Sequence, residues 1–182
     1  MSSGMKTPSP NFERSLEFVL KAEGGFSNHP HDRGGKTNKG ILQREYDKVR
    51  DNMQLDRQCV SKITDEEVED IYYNDYWVPG CCYKLPWPLC AVHFDGCVNV
   101  GVGQQNRFLQ RAVGTKDDGS FGPKTLLAYH AKVEDVGVDA IVQNILEQRK
   151  DFYDLLTRLD AKQLSFIEGW NNRLNNLKKF IA

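Results

Sequence analysis

The chain has 182 residues, of which 40% are hydrophobic and 27% charged, so it can bury the core of one domain or of two small ones and is not a disordered chain. Its 24 basic and 25 acidic residues leave a formal net charge of -1, which removes the electrostatic reason to expect nucleic acid or an anionic membrane as a partner. No apolar run approaches the roughly 20 residues that span a bilayer.

The start of the chain lacks the features of a secretory signal. The string MSSGMKTPSPNFERSLEFVL has no continuous apolar core and no small-residue cleavage site. We therefore expect a protein that is synthesised in the cytoplasm without membrane insertion and reaches its site of action by another route.

The cysteine pattern favours reduced packing thiols over a disulfide framework or a zinc site, because the number is odd and no Cys-x-x-Cys pair is present. The five are Cys59, Cys81, Cys82, Cys90 and Cys97. His29 and His31 flank Pro30 in a polar segment, but no third ligand stands at a suitable spacing. We expect no metal and no cofactor.

The first predicted helix begins at Ser9, a typical N-cap residue, with Pro10 at its first position. Apolar residues then recur at helical spacing until Gly24 and Gly25, where the helix is expected to end. Residues 26–44 are rich in Gly, Asn, Asp and Pro, which predicts a structured loop or a short hairpin.

A second helix is predicted after Thr64, which forms a capping box with Glu67, and Pro79 with Gly80 closes it. A third helix is predicted over about 88–100. It is apolar nearly all round, which is typical of a central buried helix.

Beyond Gly103 the helical pattern starts again with a short amphipathic helix around 108–113. The string TKDDGSFGP then turns the chain, and Pro123 opens the next helix. Apolar spacing predicts a long helix over 138–159 and a last one over 166–177.

Glu23 is the first candidate catalytic residue because it lies in the middle of an apolar helix face. At about 100° per residue from Phe12, Leu16 falls near 40° and Glu23 near 20°. Either the end of the helix lifts this carboxylate into solvent, or the carboxylate is partly desolvated. Desolvation favours the protonated form, which a general acid needs to protonate a leaving oxygen.

The loop after this helix carries two further candidates, Asp32 and Thr37. A helix-end acid that faces a second carboxylate suits glycoside hydrolysis, in which one carboxyl protonates the leaving group and the other activates water or stabilises the cationic sugar. The alternatives are that Asp32 only accepts hydrogen bonds in a local turn and that Thr37 is a turn hydroxyl.

Several short motifs stand in a fixed order over about residues 12–175. They are Leu20-x-x-Glu23-Gly24-Gly25-Phe26, Asp32-x-Gly34-Gly35-x-Thr37-x-x-Gly40-Ile41, Ile71-Tyr72-x-x-x-Tyr76-Trp77, Leu85-Pro86, Phe94-Asp95-x-x-Val98-Asn99-x-Gly101, Leu109-Gln110-Arg111-Ala112, Asp118-Gly119-Ser120-Phe121-Gly122-Pro123-x-Thr125 and Phe166-x-x-Gly169-Trp170-x-x-Arg173. This order resembles glycoside hydrolase family 108, the phage and bacterial N-acetylmuramidases, followed by a peptidoglycan-binding-like region.

The resemblance implies an all-α protein with a lysozyme-like catalytic domain at 1–103 and a helical peptidoglycan-binding-like domain at 104–182. It implies cleavage of the β-1,4 bond between N-acetylmuramic acid and N-acetylglucosamine in bacterial peptidoglycan, with Glu23 as the general acid. The order of Glu23, Asp32 and Thr37 also resembles the catalytic triad of phage lysozymes, which implies inversion. Thr37 stands one position earlier than in that triad, so Asn38 is the other candidate.

Aromatic residues cluster between residues 72 and 87, and their rings can stack on sugars. Tyr72 and Tyr76 share the apolar stripe of the second helix and are expected in the core, whereas Tyr73 and Trp77 lie off that stripe and are the preferred sugar contacts. Asn99 is a further candidate. It lies one helical turn from Asp95, and the two side chains either line the floor of a cleft or form a hydrogen bond with each other.

Two other functions remain open at this point. A lytic transglycosylase would need one essential Glu and would leave an anhydro sugar, and a non-catalytic wall-binding or secretion-related protein would need no acid at all. A cysteine peptidase built on Cys82 and His93 is disfavoured, because no nucleophile signature surrounds Cys82. We expect a monomer whose partner is peptidoglycan and not nucleic acid.

Overall fold

The structure is a computed structural model that describes residues 9–26 and 35–182. These residues form seven α-helices and one two-stranded sheet. The elements are α1 (Pro10–Glu23), β1 (Thr37–Asn38), β2 (Ile41–Leu42), α2 (Gln43–Asn52), α3 (Asp65–Tyr72), α4 (Leu89–Val100), α5 (Val102–Ala112), α6 (Pro123–Leu159) and α7 (Ile167–Ile181). The predicted all-α fold class is confirmed.

Helix α1 begins and ends where the sequence predicts. The Ser9 side chain accepts a hydrogen bond from the Phe12 amide at 3.2 Å, and Pro10 occupies the first turn. Gly24 ends the helix at a φ of 79°. The helix buries Phe12 and Leu16 on one face, and this face fixes the direction in which its last residue, Glu23, leaves the core.

A short antiparallel hairpin follows, in which Thr37 pairs with Leu42 and Asn38 with Ile41. Lys39 and Gly40 form its two-residue turn, and both have positive φ, as the tight hairpin turns that match strand twist require. The hairpin predicted within 26–44 is confirmed here, but residues 27–34 lie outside the described residues. The predictions for Asp32, His29 and His31 fall on that segment.

Helix α2 was not predicted, because its sequence has no regular spacing of hydrophobic residues. Tyr46 is the one buried residue in it, and most of the others are charged or amides. A helix with so narrow an apolar stripe gives almost no periodic signal.

Helix α3 starts with the predicted capping box: the Thr64 hydroxyl accepts from the Glu67 amide at 3.2 Å, and the Glu67 carboxylate accepts from the Thr64 amide at 3.0 Å. Past Tyr72 the chain widens into a π turn over Tyr73–Trp77. A π turn changes the angular spacing of side chains, so positions that an α-helix would expose can turn inward.

The π turn brings Trp77 into the core instead of leaving it on the exposed side of the helix. Its side chain is 1% exposed and meets the rings of Phe12 and Phe94 at 5.3 Å each. A ring enclosed in this way has no free face to stack on a sugar, which argues against the prediction that Trp77 binds substrate. The prediction assumed uninterrupted α-helical spacing.

Helix α4 is the central helix, as its apolar composition predicts. All residues of Leu89–Cys97 are buried, and the helix contacts α1, α5 and α6. One hydrophobic core therefore extends through both halves of the chain, from Val19 in α1 to Leu177 in α7.

The second half begins with α5, which starts at Val102 directly after Gly101. The turn before α6 is held by Asp118, whose carboxylate accepts from the Gln110 side chain and from the Ser120 amide, both at 2.9 Å. Helix α6 is interrupted at Gly137, where φ is 81° and ψ 167°, in agreement with the two helical segments that the sequence predicts. The boundary at residue 103 stays a prediction. None of the described helices combines the length and apolar character that crossing a bilayer requires.

Ion pairs also connect the two halves of the chain, and they meet at Asp95, which is fully buried in α4. Its Oδ2 lies 2.7 Å from Nη1 of Arg149 in α6, and its Oδ1 accepts from Nε of Arg173 in α7 at 2.8 Å. Burial acts to lower the pKa of Arg149, but the Asp95 charge outweighs it and the pKa is raised.

Asn99 does not bond to Asp95. It accepts a hydrogen bond from the hydroxyl of Tyr153 in α6, so the interpretation in which Asn99 and Asp95 satisfy each other is wrong. Both residues face the second half of the chain, and α6 and α7 supply their partners.

The replacement Asp95→Asn is expected to lower the free energy of unfolding by about 3–5 kcal/mol, because it leaves the buried Arg149 without a counter-charge. Urea denaturation followed by circular dichroism measures this. The matched control is Asp135→Asn, whose carboxylate pairs with Lys132 but is 65% exposed, and which should leave the midpoint nearly unchanged. Equal midpoints for the two variants would contradict the structural role of Asp95.

Candidate active site

Glu23, the last residue of α1, is positioned by an arginine from the far end of the chain. Its Oε1 lies 2.7 Å from Nη1 of Arg173, and the two side chains are 23% and 10% exposed respectively. The carboxylate is therefore neither free in solvent nor enclosed by apolar side chains, which are the two environments that the helix geometry predicts. It is partly exposed and ion-paired.

The hairpin turn packs against the other side of Glu23. A Cβ placed on Gly40 would lie 3.0 Å from both Cγ and Oε2 of Glu23 and 2.6 Å from the Tyr72 hydroxyl oxygen. That hydroxyl donates to the Lys39 carbonyl at 2.8 Å, which holds the turn against α3. Glycine at position 40 thus serves two needs at once, a positive φ and the absence of a side chain beside the carboxylate.

A cavity of about 320 Å³ adjoins this turn. Its lining includes Gly40, Tyr72 and Tyr76, together with the carboxylates of Glu45 and Asp75. The predicted core tyrosines therefore form part of the cavity wall, although Tyr72 is only 2% exposed. The sequence signal for their place in the cavity wall was the presence of tyrosine, with its polar hydroxyl, at two positions of an otherwise apolar stripe.

The cavity wall is acidic. Burial raises the pKa of Tyr76 to about 12, and the charges of Glu45, Asp75 and Glu23 act in the same direction. Burial and then Glu23 also raise the pKa of Tyr72. Both phenols therefore keep their protons at neutral pH and can act as hydrogen-bond donors. Burial, followed by the charge of Glu45, raises the pKa of Asp75.

Thr37 and Asn38 lie in β1, on the strand that leads to the Gly40 turn. The Thr37 hydroxyl is half-buried and makes a long hydrogen bond of 3.4 Å to the Gly35 carbonyl. The Asn38 amide instead donates to the Val60 carbonyl at 3.1 Å, which ties it to the segment before α3. A hydroxyl with so weak a partner is easier to redirect to a water molecule than an anchored amide, which favours Thr37 over Asn38.

The two remaining sugar-binding candidates, Tyr73 and Asn99, are both half-buried. Tyr73 packs edge-on against Phe12, with ring centroids 5.1 Å apart. Asn99 is oriented by the Tyr153 hydroxyl. Their contact with substrate stays a prediction.

Arg149 and Arg173 are the site residues that sequence reasoning missed. Both stand among apolar residues at helical spacing, Arg149 between Leu146 and Tyr153, and Arg173 between Trp170 and Leu177. A charged residue inside an apolar stripe is rarely buried without a counter-charge. This pattern, in the half of the chain that appeared to hold no catalytic residue, was the available signal.

A partly exposed carboxylate at the end of the first helix, set against a small hairpin beside a cavity in an otherwise helical protein, fits a lysozyme-like glycoside hydrolase. Comparison with known families identifies the family of glycoside hydrolase. Residues 16–101 match the family model of glycosyl hydrolase 108, and residues 104–175 match that of a predicted peptidoglycan domain. The chain is thus a peptidoglycan hydrolase whose residues 16–101 belong to the glycosyl hydrolase 108 family.

Among solved structures, the chain is similar to SagA of Brucella abortus, with a TM-score of 0.75 and 26% sequence identity over 94% of each chain. A search of curated proteins gives no match.

Gly40→Ala is expected to lower the rate of peptidoglycan hydrolysis by roughly 10²-fold, because the new methyl group must displace Glu23 or the Tyr72 hydroxyl. Release of reducing sugar from purified sacculi measures the rate. Gly35→Ala is the matched control, since Gly35 has the same φ of 78° but nothing within 4 Å of the added Cβ. Equal losses in the two variants would assign the effect to backbone strain instead of to Glu23.

Proposed function

We propose that the chain is an N-acetylmuramidase that hydrolyses the β-1,4 bond between N-acetylmuramic acid and N-acetylglucosamine, with Glu23 as the general acid. The observation that carries the proposal is the position of the Glu23 carboxylate, which is partly exposed beside the cavity at the hairpin and lies within the segment that matches the hydrolase family. The family match supports glycoside hydrolysis, and the site geometry supports this residue as its acid.

The two carboxylate oxygens of Glu23 have different surroundings. Oε1 is bonded to Arg173, whereas Oε2 faces the Gly40 turn. In the proposed mechanism Oε2 carries the proton to the glycosidic oxygen, while Arg173 keeps the carboxyl group in a fixed orientation. Sugar rings that cover the site would exclude water from the carboxyl group during the proton transfer.

Asp32 is the proposed second carboxylate, which activates the attacking water, and Thr37 is proposed to hold that water. The support for Thr37 is its place on β1 and its weakly bonded hydroxyl. For Asp32 the support is the resemblance to phage lysozymes. A water held between these two residues attacks the face opposite the leaving group, and the product is inverted.

Glu23→Gln is expected to reduce hydrolysis by about 10²- to 10⁴-fold, the usual cost of removing a general acid. Turbidity clearing of purified peptidoglycan measures the rate, and circular dichroism with thermal melting verifies the fold. Glu17→Gln is the control, because Glu17 lies on the same helix with its side chain 62% exposed and paired with Lys21. A folded Glu23→Gln variant that keeps more than about a tenth of the wild-type rate would overturn the assignment.

The products should end in reducing N-acetylmuramic acid, and the first anomer released should be inverted. Mass spectrometry of the digest and proton NMR at early times measure these two properties. Anhydro ends would instead identify a lytic transglycosylase, and reducing N-acetylglucosamine ends would place the cut at the other bond. A β anomer formed first would contradict inversion.

A further inference from the structure

Three side chains that can ligate metals meet in the core and take no part in the proposed chemistry. Cys82 belongs to a short 3-10 turn, Cys82–Lys84, and His93 and Cys97 belong to α4. One ligand atom from each lies within 4.8 Å of the others, and all three residues are fully buried.

The local geometry explains how the three residues meet. His93 and Cys97 are four residues apart and so share one face of α4. A Cβ on Gly80 would lie 2.6 Å from the Cys97 sulfur and 3.1 Å from the Cys82 sulfur, so both sulfurs lie over the same small patch of backbone. The absence of a side chain at Gly80 leaves the room that the two sulfurs occupy.

The His93 ring is fixed in the tautomer that a ligand needs. Its Nε2 faces two acceptors, the Gly80 carbonyl at 3.0 Å and Oδ1 of Asn106 at 3.1 Å. The Asn106 amide nitrogen donates to the Gly119 carbonyl, which fixes Oδ1 toward the ring. Nε2 therefore carries the hydrogen, and Nδ1 keeps its lone pair. Histidines that bind metals are oriented in this way, by a carbonyl that accepts from the nitrogen opposite the metal.

Gln105 is the candidate for a fourth ligand. Its side-chain nitrogen lies 3.3 Å from His93 Nδ1, while its Oε1 is buried without a hydrogen-bond partner among the described residues. A half-turn of the amide exchanges the two atoms and places the oxygen about 3.3 Å from Nδ1. Two ligands on a tetrahedral zinc ion, with bonds of about 2.0–2.1 Å, are separated by about that distance.

We propose that the Cys82 and Cys97 sulfurs, His93 Nδ1 and Gln105 Oε1 bind one zinc ion in a closed tetrahedral site. Thiolate and imidazole ligands in this geometry favour Zn²⁺ over the hard cations, which prefer oxygen. Binding displaces the two thiol protons to solvent, so the ion and the two thiolates sum to zero charge, which suits a buried site. With all four positions filled by protein, the ion is structural and fastens the 3-10 turn to α4 and α5.

This proposal departs from the expectation of no zinc site. The expectation rested on the absence of a Cys-x-x-Cys pair, but here the two cysteines stand fifteen residues apart and His93 lies between them. The available signal was His93-x-x-x-Cys97 on a helix predicted to be buried.

The test uses the full chain, purified under reducing conditions. Elemental analysis should find one zinc per chain in wild type and in Cys90→Ala, a buried cysteine outside the cluster, and less than about a tenth of that in Cys97→Ala. Because Cys97→Ala also leaves a cavity in the core, the wild-type protein is in addition stripped of metal and reconstituted with cobalt(II). A thiolate-to-cobalt charge-transfer band with a tetrahedral visible spectrum is the expected result.

Three outcomes would overturn the proposal. The first is wild-type protein that binds neither zinc nor cobalt after reconstitution. The second is full zinc content in folded Cys97→Ala. The third is a Cys82–Cys97 disulfide in place of the metal, seen as two fewer reactive thiols than the five of the sequence after denaturation without reductant. None of these readouts depends on Glu23 or on hydrolysis.

Discussion

The buried charge of Asp95 is the constraint on which the rest of this structure depends. A carboxylate with no exposure in the middle of the central helix is tolerated only if it is paired, and it is paired twice, with Arg149 and with Arg173. Arg173 then uses its other nitrogen to hold Glu23. The guanidinium of Arg173 thus holds the proposed acid in a fixed position relative to the buried Asp95.

This arrangement makes the two halves of the chain interdependent. Glu23 and Asp95 come from the segment that matches the hydrolase family, whereas Arg149 and Arg173 come from the segment that matches the peptidoglycan domain. The second half therefore contributes to the candidate active site as well as to any binding of the wall. Burial acts to lower the pKa of Arg173, yet the Asp95 and Glu23 charges outweigh it, so the arginine stays charged. The hairpin supports Glu23 from the opposite side, through Gly40 and Tyr72.

Local signals predicted most of the fold. The N-caps at Ser9 and Thr64 were read correctly because capping involves residues only a few positions apart. The uniformly apolar composition of α4 likewise identified the central helix. Helix α2 was missed because its apolar stripe is too narrow, and Trp77 was assigned to the wrong face because a π turn changes the helical spacing.

The site itself was only half predictable. Glu23 stood out because a carboxylate within an apolar face is unusual over a span of a few residues. Its partner could not be found in the same way, since Arg173 lies 150 residues away from Glu23 and 78 from Asp95. Pairings at such separations depend on how helices pack, which periodicity does not encode. The Cys82, His93 and Cys97 cluster was not predicted as a metal site for a different reason, the absence of a Cys-x-x-Cys pair.

A crystal structure of the Glu23→Gln variant with a bound peptidoglycan oligosaccharide tests the central claim most directly. The side chain at position 23 is expected to stay bonded to Arg173 through one atom and to lie about 3 Å from a glycosidic oxygen through the other. A sugar chain bound elsewhere on the protein, with no glycosidic oxygen in reach of residue 23, would contradict it.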